Sequence, residues 1–166
     1  MQEMRDICNK CKRPKGVCIC ETIADINNDS HIVILQHPSE SKHPLGSAKI
    51  AQLCLKNITL MKGENFTEND QLNQIIKNEN CFLLYPYENA QELNSKLCAK
   101  HKSITFIVLD GTWKKARKIY HSSENLKELD LLKFSQVNKS DYRIRKQPSD
   151  LGLSTVETVI ECLKGA

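Results

Sequence analysis

No apolar run in this chain approaches the ~20 residues that a membrane-crossing helix requires. The N-terminus is polar and lacks the pattern of a secretory signal. Membrane insertion and secretion are therefore not expected, and the protein is assigned to the cytosol. Internal repeats and low-complexity linkers are also missing, which leaves one domain with at most a small appendage in 166 residues. Tryptophan occurs once, at Trp113. Cations are scarce in the middle of the chain, where six carboxylates between Glu64 and Glu92 face Lys77 alone.

What is present is uneven. The net charge of +4 is modest, but residues 1–20 carry five cations against Glu3 and Asp6, and 139–146 carry four against Asp141. Four more, Lys114, Lys115, Arg117 and Lys118, follow Trp113. Basic segments at both ends with an acidic middle suggest one face for a polyanion and another for water. Hydrophobic content of 40% is enough to bury a core.

Cysteine is abundant, with eight residues, four of them clustered in Cys8-Asn-Lys-Cys11-Lys-Arg-Pro-Lys-Gly-Val-Cys18-Ile-Cys20. In a reducing compartment such clustering points to metal ligation more than to disulfides. Four thiolates at this spacing, with Pro14 and Gly16 at the bend, suit a closed tetrahedral Zn²⁺ site that is structural, because no coordination position stays open. Redox pairs, disulfides and plain surface thiols are the competing readings. Residues 1–24 are thus read as a zinc-binding module, whose Lys10, Lys12, Arg13 and Lys15 could touch phosphate. The remainder, 25–166, forms the main domain.

Its central stretch runs from Ile104 to Tyr120. Ile104–Leu109 reads as a strand buried on both faces, typical of a parallel sheet. Asp110-Gly111-Thr112-Trp113 follows at its carboxyl end, where open α/β sheets bind ligands. A turn, or an aspartate capping the next helix, would leave the same signature. Further strands are expected at 31–37, 58–61, 81–85 and 131–134. Helices are expected from Leu45, around 70–77, after Trp113, over 91–101 and over 155–163. The alternation predicts an α/β fold with a largely parallel sheet flanked by helices. Cys54 is expected in the core. His37, Glu40 and His43 could form an acid–base cluster or lie on the surface. Ser154 with Glu157 makes a capping-box pattern, while Arg143 and Arg145 fall on one side of an extended segment and suit phosphate.

The set Leu84-Tyr85-Pro86, Leu109-Asp110-Gly111-Thr112-Trp113, Tyr142-Arg143-Ile144-Arg145 and Leu153-Ser154-Thr155-Val156-Glu157, behind a four-cysteine array, resembles the DTW-domain family. Those motifs span nearly the whole chain in family order. The resemblance implies an S-adenosyl-L-methionine-dependent tRNA-uridine aminocarboxypropyltransferase, acting at N3 of a uridine. It also implies a fold related to the SPOUT methyltransferases, with a knotted C-terminal region around the cofactor. Asp110 becomes the candidate base. Leu84, Tyr85, Pro86, Gly111, Thr112, Trp113, Leu153, Ser154, Thr155 and Glu157 become the candidate cofactor contacts, although Trp113 could equally be a buried structural residue. His37, Glu40, Lys114, Lys115, Arg143 and Arg145 are assigned to RNA. The chain departs from the pattern at Lys42-His43-Pro44-Leu45-Gly46-Ser47, where an Arg and an Asn-Thr-Gly-like turn are expected. A SPOUT-type RNA methyltransferase and a non-catalytic zinc-knuckle RNA-binding protein are the alternatives. The sequence leaves monomer and homodimer both open.

Overall fold

A computed structural model describes residues 6–42, 46–134 and 153–165. Six strands make one sheet in the order β2-β1-β5-β3-β6-β4, and every pairing is parallel. They are β1 (His31–Gln36), β2 (Ile58–Lys62), β3 (Cys81–Leu84), β4 (Gln91–Leu93), β5 (Thr105–Asp110) and β6 (Asp130–Phe134). Because all run the same way, their carboxyl ends lie along one rim. Gln36 stands opposite Asp110 in the β1–β5 register, and Leu84 opposite Val108 in the β3–β5 register.

The period-2 alternation of strand side chains feeds two cores. On one face, Ile32, Ile34, Phe82, Phe106, Val108 and Leu132 pack with Ala48 and Ala51 of α1 (Ser47–Cys54) and with Val159 and Cys162 of α5 (Thr155–Gly165). Leu97 and Cys98 of the short α3 (Ser95–Ala99) join them. On the other face, Val33, Leu35, Leu83, Ile107 and Leu131 pack with Leu72 of α2 (Asp70–Asn78) and Ile119 of α4 (Trp113–Ser122). The apolar runs of β1 and β5 are therefore buried on both sides, as a parallel sheet between two helical layers demands. Phe106, fully buried at the sheet centre, contributes on the order of 2–3 kcal/mol by removal from water.

One expected helix is absent. Residues 91–101 divide into β4, which pairs with β6 at the sheet edge, and the five-residue α3. Asn94 sets the boundary: its side chain accepts a hydrogen bond from the Leu97 amide at 3.0 Å and so starts a new helix there. Asn69 caps α2 in the same way through the Leu72 amide. Cys54, expected in the core, is only half-buried at the end of α1.

No helix among the described residues is long and apolar enough to cross a membrane. Residues 6–24 contribute no strand to the sheet; they form a compact turn whose antiparallel bridge joins Ile7 and Pro14. Lys12 there has a φ of 60°, the left-handed conformation that closes the turn.

Candidate active site

Strand β5 ends on Asp110, which is 8% exposed. Both carboxylate oxygens are engaged: Oδ2 accepts a hydrogen bond from Gln36 Nε2 at 2.7 Å, and Oδ1 accepts one from the Thr155 hydroxyl. Asp110 thus fastens β1 and α5 to the end of β5. It does not cap α4, whose N-cap position is Thr112 with no side-chain capping bond. The Asp110 carbonyl in turn accepts the His37 amide at 3.0 Å.

Gly111 follows because no side chain fits. A Cβ there would sit 2.9 Å from Lys115 Cβ and 3.5 Å from His37 Cβ, so α4 approaches the β1 end closely only with glycine at this point. The tight turn brings Trp113 to the rim of a cavity of about 270 Å³ lined by Leu84, Tyr85, Pro86, Val108, Leu109, Gly111, Trp113, Ala116, Leu132, Lys133, Phe134, Leu153 and Thr158. These come from the ends of β3, β5 and β6 and from the starts of α4 and α5, so the cavity sits where an open parallel sheet presents ligands.

Of the residues expected to bind a cofactor, Leu84, Tyr85, Pro86, Gly111, Trp113 and Leu153 line this cavity. Trp113 is 53% exposed and is not a core residue. Thr155 meets Asp110 instead, and Ser154 and Glu157 cap each other: the Ser154 amide donates to Glu157 Oε2 at 2.7 Å and the Glu157 amide to Ser154 Oγ at 3.3 Å. That is the reciprocal capping box the spacing suggests.

His37 and Glu40 are both buried. The Ser39 amide lies 3.3 Å from His37 Nδ1, and Nε2 faces Glu64 Oε1 at 2.7 Å. Glu64 also receives Lys118 at 2.6 Å. The Lys118 ammonium holds the Glu64 carboxyl below its ordinary range, outweighing burial, with His37 adding to the effect. Glu40 pairs with Lys115 at 2.8 Å. Lys114 is exposed. Arg143 and Arg145, like His43 in the departing loop, lie outside the described residues.

Gln36, Glu64, Lys118, Leu132, Lys133, Phe134 and Thr158 were not among the expected site residues, although Lys118 belonged to the basic run after Trp113. The signal for Gln36 was available: a polar residue ending an apolar strand, as Asp110 does. Glu64 gave none, because its partners are distant in sequence.

At the N-terminus the sulfurs of Cys8, Cys11, Cys18 and Cys20 all lie within 4.8 Å of one another, with Cys8–Cys20 at 3.5 Å and Cys11–Cys18 at 3.7 Å. Sulfurs bound tetrahedrally at ~2.3 Å would stand about 3.8 Å apart, so the group could hold a metal ion. The backbone amides of Cys11 and Lys10 lower the Cys8 thiol to about 6, whereas burial and the neighbouring thiols push Cys20 up to about 12. Four such thiols cannot all ionise together without a cation between them.

The DTW domain matches residues 5–166, the whole length over which these elements are built. The chain belongs to the DTW-domain family. It is 38% identical to tRNA-uridine aminocarboxypropyltransferase 2 of Drosophila melanogaster, over 96% of this chain and 66% of that protein. To the protein of the same name from Mus musculus it is 28% identical, over 93% of this chain and 54% of the other. To tRNA-uridine aminocarboxypropyltransferase A of Arabidopsis thaliana it is 25% identical, over 96% of this chain and 72% of the other. The chain thus spans between about half and two thirds of the fly and mouse relatives. No solved structure matches it.

Proposed function

We propose that this member of the DTW-domain family is a tRNA-uridine aminocarboxypropyltransferase, moving the 3-amino-3-carboxypropyl group of S-adenosyl-L-methionine to N3 of a uridine. The observation that carries the reading is the strand-end cavity, whose lining joins Leu84-Tyr85-Pro86, Gly111, Trp113 and Leu153, in a chain that matches relatives bearing that name.

The residues fit such a ligand. Tyr85, Pro86, Leu132 and Phe134 offer apolar walls for a flat base, and strand-end backbone offers donors and acceptors for ribose. Lys133, the one cation lining the cavity among the described residues, would meet the carboxylate of the transferred group. When bound, the sulfonium supplies the leaving group, so the protein's task is to present one of three carbons in line with the acceptor. Choice between aminocarboxypropyl and methyl transfer then rests on cavity shape.

Uridine N3 must lose its proton, and Asp110, between the lining residues Leu109 and Gly111, is the carboxylate assigned to take it. In its present arrangement each of its oxygens already accepts a bond. Each carboxylate oxygen keeps a second acceptor site, so Asp110 can take the imide proton without releasing Gln36 or Thr155. The cysteine group at the N-terminus is assigned to one structural Zn²⁺, and Arg143 and Arg145 to the tRNA backbone. The C-terminal knot that the resemblance implies would be made by residues 135–152, which lie outside the described residues.

The test is mass spectrometry of nucleosides from tRNA incubated with the protein and with cofactor labelled separately in its methyl and carboxypropyl parts. Carboxypropyl label on uridine is expected. Methyl label in the RNA would establish the methyltransferase alternative, and binding of tRNA with no transfer of either label would leave a binding protein.

A further inference from the structure

From Tyr85 in the cavity wall a row of aromatic rings runs outward, beyond the part that the transfer chemistry uses. Tyr85 lies near-parallel to Tyr120 of α4, with centroids 4.4 Å apart and planes at 22°, and near-parallel to Tyr87 at 6.2 Å and 19°. Tyr85 is buried, but Tyr87 is 52% exposed and Trp113, at the start of the same helix as Tyr120, is 53% exposed. Two large rings in water beside one rim are not explained by packing.

The backbone fixes the Tyr87 ring where it stands. Pro86 restricts the chain between the two tyrosines, the Tyr87 amide donates to the Tyr85 carbonyl at 2.8 Å, and the Ala90 amide to the Tyr87 carbonyl at 3.0 Å. A ring held this way costs little entropy when something stacks on it. The cations come from α4, whereas Tyr87's own loop carries the exposed Glu88. Arg117, four residues after Trp113, is exposed and has no ion pair among the described residues, and its charge reaches the Tyr85 hydroxyl, working against the burial that raises it. Lys114 is exposed on the same helix.

We propose that Tyr87 is a stacking platform for an unpaired base of the RNA next to the acceptor uridine, with Arg117 on the adjoining phosphate. An exposed aromatic beside a free guanidinium is the combination that holds single-stranded nucleic acid, because every base has a face to stack and every link a charge to pair. A duplex keeps its bases internal and cannot use it. This inference rests on the tRNA reading of the cavity.

The experiment measures binding of the full chain to a labelled single-stranded oligouridylate, to tRNA and to an RNA stem of equal length, across a salt series. Tyr87→Ala is expected to weaken oligouridylate and tRNA binding roughly 5- to 150-fold, the range that loss of one stacked base implies, with an unchanged salt slope. Tyr87→Trp and Tyr87→Phe should retain affinity. Arg117→Ala should reduce the salt slope by about one phosphate contact. Tyr87 and Arg117 do not line the cavity, so unchanged S-adenosylmethionine affinity in each variant certifies its fold. Wild-type affinity in Tyr87→Ala, or equal affinity of the native protein for the stem and the single strand, overturns the platform. Native protein that transfers the group while Tyr87→Ala binds RNA normally overturns the platform alone. Native protein that binds no RNA overturns the reading beneath it as well.

Discussion

At the scale of single residues, Asp110 is the point where reading and geometry meet most closely. Its place at the end of an apolar run was legible because a carboxylate after six strand residues is conspicuous. Its partners were not, since Gln36 lies 74 residues before it and Thr155 lies 45 after. Thr155 itself was picked out by resemblance as a cofactor contact, whereas its hydroxyl donates to Asp110. The two residues beside it, Ser154 and Glu157, are occupied with each other. If the hydroxyl is what matters, Thr155→Ser should retain transfer and stability. Thr155→Val should cost about 1–3 kcal/mol, the penalty of leaving a buried carboxylate short of a donor. Denaturant midpoints and single-turnover rates of the pair check this, and equal behaviour of the two variants would show the bond to be idle.

Elements come next. The parallel sheet was most readable from 32–35 and 106–109, which run apolar without a break because β1 and β5 are covered on both faces, whereas β2 and β6 carry exposed Lys62 and Asp130. The break at Asn94 was not, because an amphipathic window spanning 91–101 satisfies helical spacing and only the side-chain cap divides it. The cysteine turn was legible from spacing alone, since no sheet is needed to bring its sulfurs together. Its prediction is direct: Cys11→Ser should lose bound Zn²⁺, measured by elemental analysis against a native content near one ion per chain. Native protein without metal would remove that assignment. A second tie between elements runs from the end of β1 through Glu64 to α4, by way of His37 and Lys118. Because Lys118 holds the Glu64 carboxyl below the value it has in the unfolded chain, protonation of Glu64 favours unfolding. Its contribution is present above an ordinary glutamate pKa of ~4.3 and is lost as pH falls through the lower folded value. Between about pH 5 and 3, the melting temperature of Glu64→Gln should therefore decline less steeply than that of the native protein, and parallel curves would count against the tie.

For the whole molecule, the cavity gathers β3, β5, β6, α4 and α5, so a ligand seated there should stabilise all of them as one unit. At a concentration 100 times its dissociation constant, S-adenosylmethionine should add about 2.7 kcal/mol to unfolding, visible as a rise in melting temperature. Cys11→Ser should show the same increment from a lower baseline, because the cysteine turn contributes no wall to the cavity. An increment lost in that variant would tie the turn to the cofactor site. The fold class was legible at this scale because strand and helix alternate along the chain. The strand order was not, since nothing local records that β5 slots between β1 and β3.

The distribution of the cavity's walls along the chain also sets when it can exist. Its first lining residue is Leu84 and its last is Thr158, in the final described helix. While a ribosome is still making the segment before that helix, Asp110 has Gln36 but not Thr155, and the pocket has no lid from Leu153. A nascent chain therefore has no finished cavity until the final described helix is made. A chain cut short before Leu153 would keep all six strands of the sheet and lack one wall of the cavity.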